Sequence, residues 1–168
     1  MSDTARLFLA LWPDPAVRAG LIAWRDGFGW PRGATPVHDD KLHLTLHFIG
    51  DTPRERIPAL REQLRVPFQP FELGLGTALV WPRGIAVLEP DAIPAELLEL
   101  HRVLGETLNA AGLPPEARPY KPHVTMARRA VNASVPASGP AIRWRVDGYA
   151  LMESLGGRYT ALQDYGKT

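Results

Sequence analysis

Two short stretches carry the same chemistry-bearing residues in the two halves of the chain: His43-Leu44-Thr45-Leu46 and His123-Val124-Thr125-Met126. Along a β-strand successive side chains point to opposite faces. His43 and Thr45 then share a face opposite Leu42, Leu44 and Leu46, and His123 and Thr125 share one opposite Val124 and Met126. Each strand buries an apolar row and presents one imidazole and one hydroxyl. If the two strands lie side by side about a pseudo-dyad, two imidazoles and two hydroxyls converge on one cleft. That set suits a phosphodiester. One imidazole takes a proton from an attacking water, and the other, protonated, gives one to the departing oxygen, because histidine reaches both states near neutrality. The threonine hydroxyls can donate to the non-bridging oxygens. A single His-x-Thr is weak evidence, since threonine favours strands; the repetition in one alternating frame gives the pattern weight.

The other polar residues read differently. Strict alternation puts His47 on the face of His43, but four residues of strand hold them about 13 Å apart, too far to share a metal ion, so no metal site is expected. His101 falls at a core-facing helix position and His38 in a loop. Alternation places Arg129 on the His123 face and Arg128 opposite. Five tryptophans and Phe8 could stack on a base, although most tryptophans of a small protein pack its core.

These residues need elements to hold them. Arg6 to Trp12 reads as a buried strand, and Asp14-Pro15 as the cap and first residue of a helix running to Gly27 or Gly29. Residues 30–40 are turn-rich. Leu42 to Ile49 is the first motif strand, ended by Gly50, and Thr52-Pro53 opens a helix over Arg54 to Arg65. Phe71 to Trp81 and Gly84 to Leu88 form two strands around a Pro-Arg-Gly turn. Pro94 to Ala111 is a helix with Leu97, Leu98, His101, Leu104 and Leu108 at i, i+3, i+4 spacing and Gly112 past its end. The proline-rich connection from Leu113 to Pro122 leads to the second motif strand, His123 to Arg128. A loop over Val131 to Pro140 follows, then one or two strands over Ile142 to Leu155 and a last strand over Arg158 to Tyr165. The order is α+β and hints at an internal duplication.

The 168 residues suit one domain, 1–168, with an ordinary apolar fraction of 45%. Without cysteine there are no disulfides or thiolate metal sites. The early apolar run Leu7 to Trp12 is too short for a signal-peptide core or a membrane span, so a soluble, cytoplasmic protein is expected, with no membrane contact. A net charge of +1 gives no global basic field for long duplexes; any nucleic-acid contact is local, such as a chain end.

At this point the residues resemble a family. Two His-x-Thr-x motifs in these frames are similar to the 2H phosphoesterase superfamily, and more closely to the RNA 2′,3′-cyclic phosphodiesterases, also called 2′-5′ RNA ligases. ARLFLAL (Ala5 to Leu11) resembles that family's first strand. LHLTLHFIG (Leu42 to Gly50) and RPYKPHVTMAR (Arg118 to Arg128) resemble its two motifs, and LMESLGGRYTAL (Leu151 to Leu162) its closing strands. Met126 stands where Leu or Val is commoner, a conservative change. The resemblance implies a bilobal fold, two antiparallel β-sheets facing across a central cleft with helices outside. It implies opening of RNA 2′,3′-cyclic phosphate ends to 2′-phosphates without metal, ATP or other cofactor, and reversible 2′-5′ joining of RNA ends such as tRNA halves, by a monomer. It makes His43 and His123 the acid and base, and Thr45 and Thr125 the phosphate-oxygen donors. It makes Arg128 a substrate residue, against the alternation argument, which requires a twist or bulge. It puts Phe8 and Tyr120 at the cleft.

Pseudo-symmetry permits either histidine to be the acid. A 2′-phosphate product requires the acid beside O3′, and the expectation is His43 as acid and His123 as base. Two rivals remain: a 2H enzyme for small cyclic nucleotides or 2′,5′-oligonucleotides, and a non-catalytic module that binds RNA ends.

Overall fold

The computed structural model describes residues 3–166. Strand β1 (Thr4–Leu11) leads into helix α1 (Pro15–Gly27). Asp14 caps α1 by accepting the Val17 N–H at 2.8 Å, and Val17, Leu21 and Trp24 form its buried stripe. A two-residue strand β2 (Thr35–Pro36) interrupts the turn-rich segment. Then come β3 (Leu44–Pro53), α2 (Ile57–Gln63), β4 (Phe71–Trp81), β5 (Ile85–Pro90) and α3 (Ala95–Ala110). The chain continues with β6 (Val124–Arg128), β7 (Ile142–Val146), β8 (Tyr149–Leu155) and β9 (Arg158–Tyr165). Among the described residues no helix is long and apolar enough to cross a membrane.

All recorded pairings are antiparallel, in the order β7-β4-β5-β6-β3-β1-β8-β9, with β2 on the free side of β6. The two expected sheets are the halves of this path, β3-β1-β8-β9 and β6-β5-β4-β7, each with its motif strand innermost. They join at one residue pair, Leu44 opposite Val124. Both side chains are wholly buried. The antiparallel register sets His43 across from Thr125 and Thr45 across from His123. Both histidines sit one residue before their strands rather than within them.

The helices lock the halves together by crossing over. Helix α1 leaves β1 of one half and packs on β7 of the other, while α3 leaves β5 of the second half and packs on β3 of the first. Trp24 of α1 donates its indole N–H to the Pro140 carbonyl, just before β7, at 2.7 Å. Leu7, Leu9 and Leu11 share the main core with the buried residues of the helices. The other face of the first half carries a smaller cluster of Phe8, Ala10, Ala150 and Met152, flanked by Trp12 and Tyr159.

Two sequence expectations about β3 change. Gly50 does not end the strand; with φ +88° it carries a bulge, Leu7 pairing with Gly50 and Phe8 with Phe48. The strand then runs on to Pro53, so a 3₁₀ turn over Arg54–Arg56 precedes a shorter α2 than expected. Nothing lies within 4 Å of a Cβ placed on Gly50, so substitution there tests backbone strain alone. Gly50→Ala should lower unfolding stability in urea by about 1–2 kcal/mol, and Gly50→Asn by less, since Asn tolerates a left-handed backbone. Equal stability of all three would show that the bulge does not need its glycine.

Candidate active site

The two motifs build identical frames around their histidines. His43 Nδ1 lies 2.6 Å from the Lys41 carbonyl, and His123 Nδ1 lies 2.8 Å from the Lys121 carbonyl. A carbonyl can only accept, so Nδ1 carries the hydrogen in each ring and Nε2 holds the lone pair of the neutral imidazole. The Thr45 hydroxyl donates to His43 Nε2 at 3.0 Å. The repeat is therefore longer than His-x-Thr: Lys41-Leu42-His43-Leu44-Thr45 matches Lys121-Pro122-His123-Val124-Thr125.

Three aromatic rings surround His43 and one flanks His123. Trp12 stacks on His43 at 5.2 Å and 16°, Phe8 lies 5.2 Å away and Tyr159 meets the ring edge-on at 5.5 Å. Burial pushes the His43 pKa down to about 4; the Lys41 carbonyl opposes this, and His123, Arg18 and Arg128 add to it. Trp81 lies 4.4 Å from His123. Burial lowers that pKa too, against the Lys121 carbonyl and Glu89, with Arg128 and Arg118 adding to the depression. Burial thus favours the neutral form of both imidazoles, with Nε2 as the acceptor. A phosphate anion between them would return a proton to one.

A cavity of about 480 Å³ is lined by His43, His123, Thr45, Thr125, Arg128 and Phe8, six of the seven residues singled out from the sequence. Tyr120 is not among its walls. Its ring stacks on His101 at 3.7 Å and 10°, His101 stacks in turn on His47 at 4.0 Å, and its hydroxyl donates to the Thr45 carbonyl at 3.0 Å. Tyr120 thus braces the first motif from behind.

A bulge in each motif strand explains the rest. In β3, Leu9 pairs with His47 and Ala10 with Thr45, leaving Leu46 over; in β6, Ala86 pairs with Ala127 and Val87 with Thr125, leaving Met126 over. The extra residue reverses the alternation. His47 turns to the core, 6% exposed, and bonds the His101 carbonyl through Nε2 at 2.7 Å. The placement of His47 on the His43 face is thus overturned, and the two cannot share a ligand. The bulge in β6 brings Arg128 to the cavity, while Arg129 (φ 55°) stays outside it. The bulge in β3 delivers Phe48, which sequence reasoning missed. Phe48 stands five residues after His43, as Arg128 does after His123, so the repeat itself held the signal. Phe48 is 44% exposed, with the Arg6 guanidinium 5.1 Å from its ring centroid.

The sequence profile of the 2′-5′ RNA ligase superfamily matches residues 13–158. The chain belongs to this superfamily. Among its members, an RNA 2′,3′-cyclic phosphodiesterase of Thermus thermophilus is 35% identical over 181 aligned residues, covering 95% of this chain and 89% of that protein. The RNA 2′,3′-cyclic phosphodiesterase of Escherichia coli K12 is 34% identical over 155, covering 91% and 86%. The crystal structure of E. coli LigT complexed with 3′-AMP superposes with a TM-score of 0.86 at 28% identity, covering 98% of this chain and 99% of that one. The superfamily's α+β architecture is therefore that of this chain throughout.

Two measurements test this account. His43 and His101 are held down to about 4, and His47 and His123 are lowered as well. An unfolded histidine titrates near 6.5, so between those values the unfolded chain binds more protons and stability rises with pH. The melting temperature should be level above about pH 6.5 and fall as pH drops toward 4, more shallowly in His43→Gln; a flat wild-type profile across that window would refute the depressed values. Tyr120→Phe should cost about 1 kcal/mol in urea unfolding through the lost bond to Thr45, and no change would mean the brace carries no load.

Proposed function

We propose that this chain opens RNA 2′,3′-cyclic phosphate ends to 2′-phosphates by acid/base catalysis between His43 and His123, without metal or ATP. The observation that carries the reading is the presentation of two imidazoles, each with its Nδ1 held by the carbonyl two residues before it and its Nε2 left as the acceptor, into one cavity. Thr45 and Thr125 stand beside them to donate to the non-bridging oxygens, and Arg128 supplies the charge that meets the phosphate. The names of the two phosphodiesterases and the 3′-AMP complex of LigT support a nucleotide in this cavity.

The distribution of aromatic residues supports a direction. Phe8, Phe48 and Tyr159 all come from the first half, and the second half gives the cavity no aromatic wall besides His123. The terminal nucleoside stacks on that first-half side, Phe48 offering the most exposed face. The leaving O3′ stays attached to that nucleoside's ribose, so the acid belongs on the same side. His43 protonates O3′ and His123 takes the proton of the attacking water. When an RNA 5′-hydroxyl replaces water the product is a 2′-5′ linkage, and tRNA halves are one source of such ends. The reading takes residues 1–168 as one working domain, since α1 and α3 each bridge both halves, and the working form as a cytoplasmic monomer, since one chain supplies the whole cavity.

The test uses purified protein in excess EDTA without ATP and a short RNA ending in a 2′,3′-cyclic phosphate. The product should carry a phosphate resistant to a phosphatase that ignores 2′-phosphates. His43→Ala and His123→Ala should each lose about 10²- to 10⁴-fold in rate. With sulfur in place of O3′, His43→Ala should recover and His123→Ala should not; the opposite pattern reverses the roles. Turnover of a cyclic mononucleotide but not of RNA would move the activity to small cyclic nucleotides, and end binding without turnover of either would leave a binding module.

A further inference from the structure

We propose that Trp81 and Lys121 form a second nucleoside subsite beside His123, outside the cavity, which receives the RNA 5′-hydroxyl end when it takes the place of water. This rests on the reading above, in which His123 activates the nucleophile.

The geometry of displacement decides where an acceptor can lie. Attacking and leaving oxygens stand roughly in line through phosphorus. If O3′ departs on the His43 side, the nucleophile enters on the His123 side. Water needs no further support there, but a 5′-terminal nucleoside brings a base and, beyond it, a phosphate. The groups flanking His123 match both. Trp81, at the end of β4, is half-buried and does not line the cavity. Its indole N–H donates to Glu89 Oε2 at 2.8 Å, which fixes the ring's orientation. The exposed Lys121 ammonium lies over one face of the ring, 4.8 Å from its centroid. The opposite face of the oriented indole is the one a base would stack on, and the ammonium offers a counter-charge to the phosphate that follows it.

The other half supplies a comparison. Trp12 lies flat on His43 at 16° and spends one indole face on the imidazole. Trp81 is tilted at 59° to His123 and does not stack flat on it. In the joining step the 5′-hydroxyl proton passes to His123 Nε2, the P–O5′ bond forms, the P–O3′ bond breaks, and O3′ takes the proton of His43. No oxidant, metal or nucleotide is consumed. The subsite sets how the cyclic phosphate partitions between water and RNA.

The experiment reads that partition within single reactions. The full-length enzyme is given an RNA with a 2′,3′-cyclic phosphate and a millimolar excess of a 5′-hydroxyl RNA oligonucleotide with a blocked 3′ end. Joined 2′-5′ product is counted against 2′-phosphate product. Trp81→Ala should lower the joined-to-hydrolysed ratio about tenfold or more, Trp81→Phe should restore most of it, and Lys121→Gln should lower it several-fold. Cleavage of a 2′-5′ linked RNA to cyclic phosphate and 5′-hydroxyl should fall in parallel. An unchanged ratio, whatever happens to the total rate, would assign Trp81 to packing against His123 and overturn the proposal. So would a wild-type enzyme that yields 2′-phosphate but no joined product and is not slowed by the acceptor. A wild-type enzyme giving neither product would sink the hydrolytic reading itself, and the subsite with it.

Discussion

A single backbone pairing, Leu44 with Val124, holds this site together. Among the described residues it is the one backbone pairing between the two halves of the sheet, and both side chains are wholly buried. Their neighbours in sequence must therefore face away from the core. One step either side of an antiparallel pair gives four positions, and here they are two histidines and two threonines. The burial of two aliphatic side chains thereby orients four polar ones. A one-residue slip would put imidazoles into the core and aliphatics into the cleft, which the cost of burying unpaired polar groups forbids.

The remaining features follow from what happens beyond those four positions. A bulge after each threonine changes the alternation, so the fifth residue after each histidine reaches the cavity. One half uses that position for an aromatic ring and the other for a guanidinium. The pseudo-symmetry that makes the two histidines alike is broken there, and a nucleotide, apolar at one end and anionic at the other, fits the broken symmetry. Each ring's Nδ1 hydrogen is already satisfied by a backbone carbonyl, and among the described residues no buried side-chain N or O atom lacks a partner.

The sequence made the elements and the doubled motif legible because those rest on local periodicity and caps. β4, β9 and α1 lie where their patterns placed them. The bulges were not legible from periodicity, since an inserted residue is specified by the partner strand's pairing and not by the strand's own alternation. That is why His47 was assigned to the wrong face, and why Arg128 entered through family resemblance rather than through alternation. Gly50 was misread for a related reason: glycine at positive φ serves a bulge as well as a stop. Tyr120 carried an ambiguous signal, because a tyrosine near a motif can line a cleft or brace it, and only the column it forms with His101 and His47 decides between them. Phe48 was available from the repeat once its period was extended past the threonine.

The strand order also carries a consequence for the timing of synthesis. The first half of the sheet contains β1 and β3 but is completed by β8 and β9, made last of the described strands. Tyr159, which closes the ring of aromatics around His43, lies in β9. A nascent chain that has emerged as far as Arg128 already possesses both imidazoles, both threonines and the guanidinium, yet lacks one wall of the pocket. The interleaving therefore leaves the pocket wall beside His43 to be completed by β9, the last of the described strands to be synthesised.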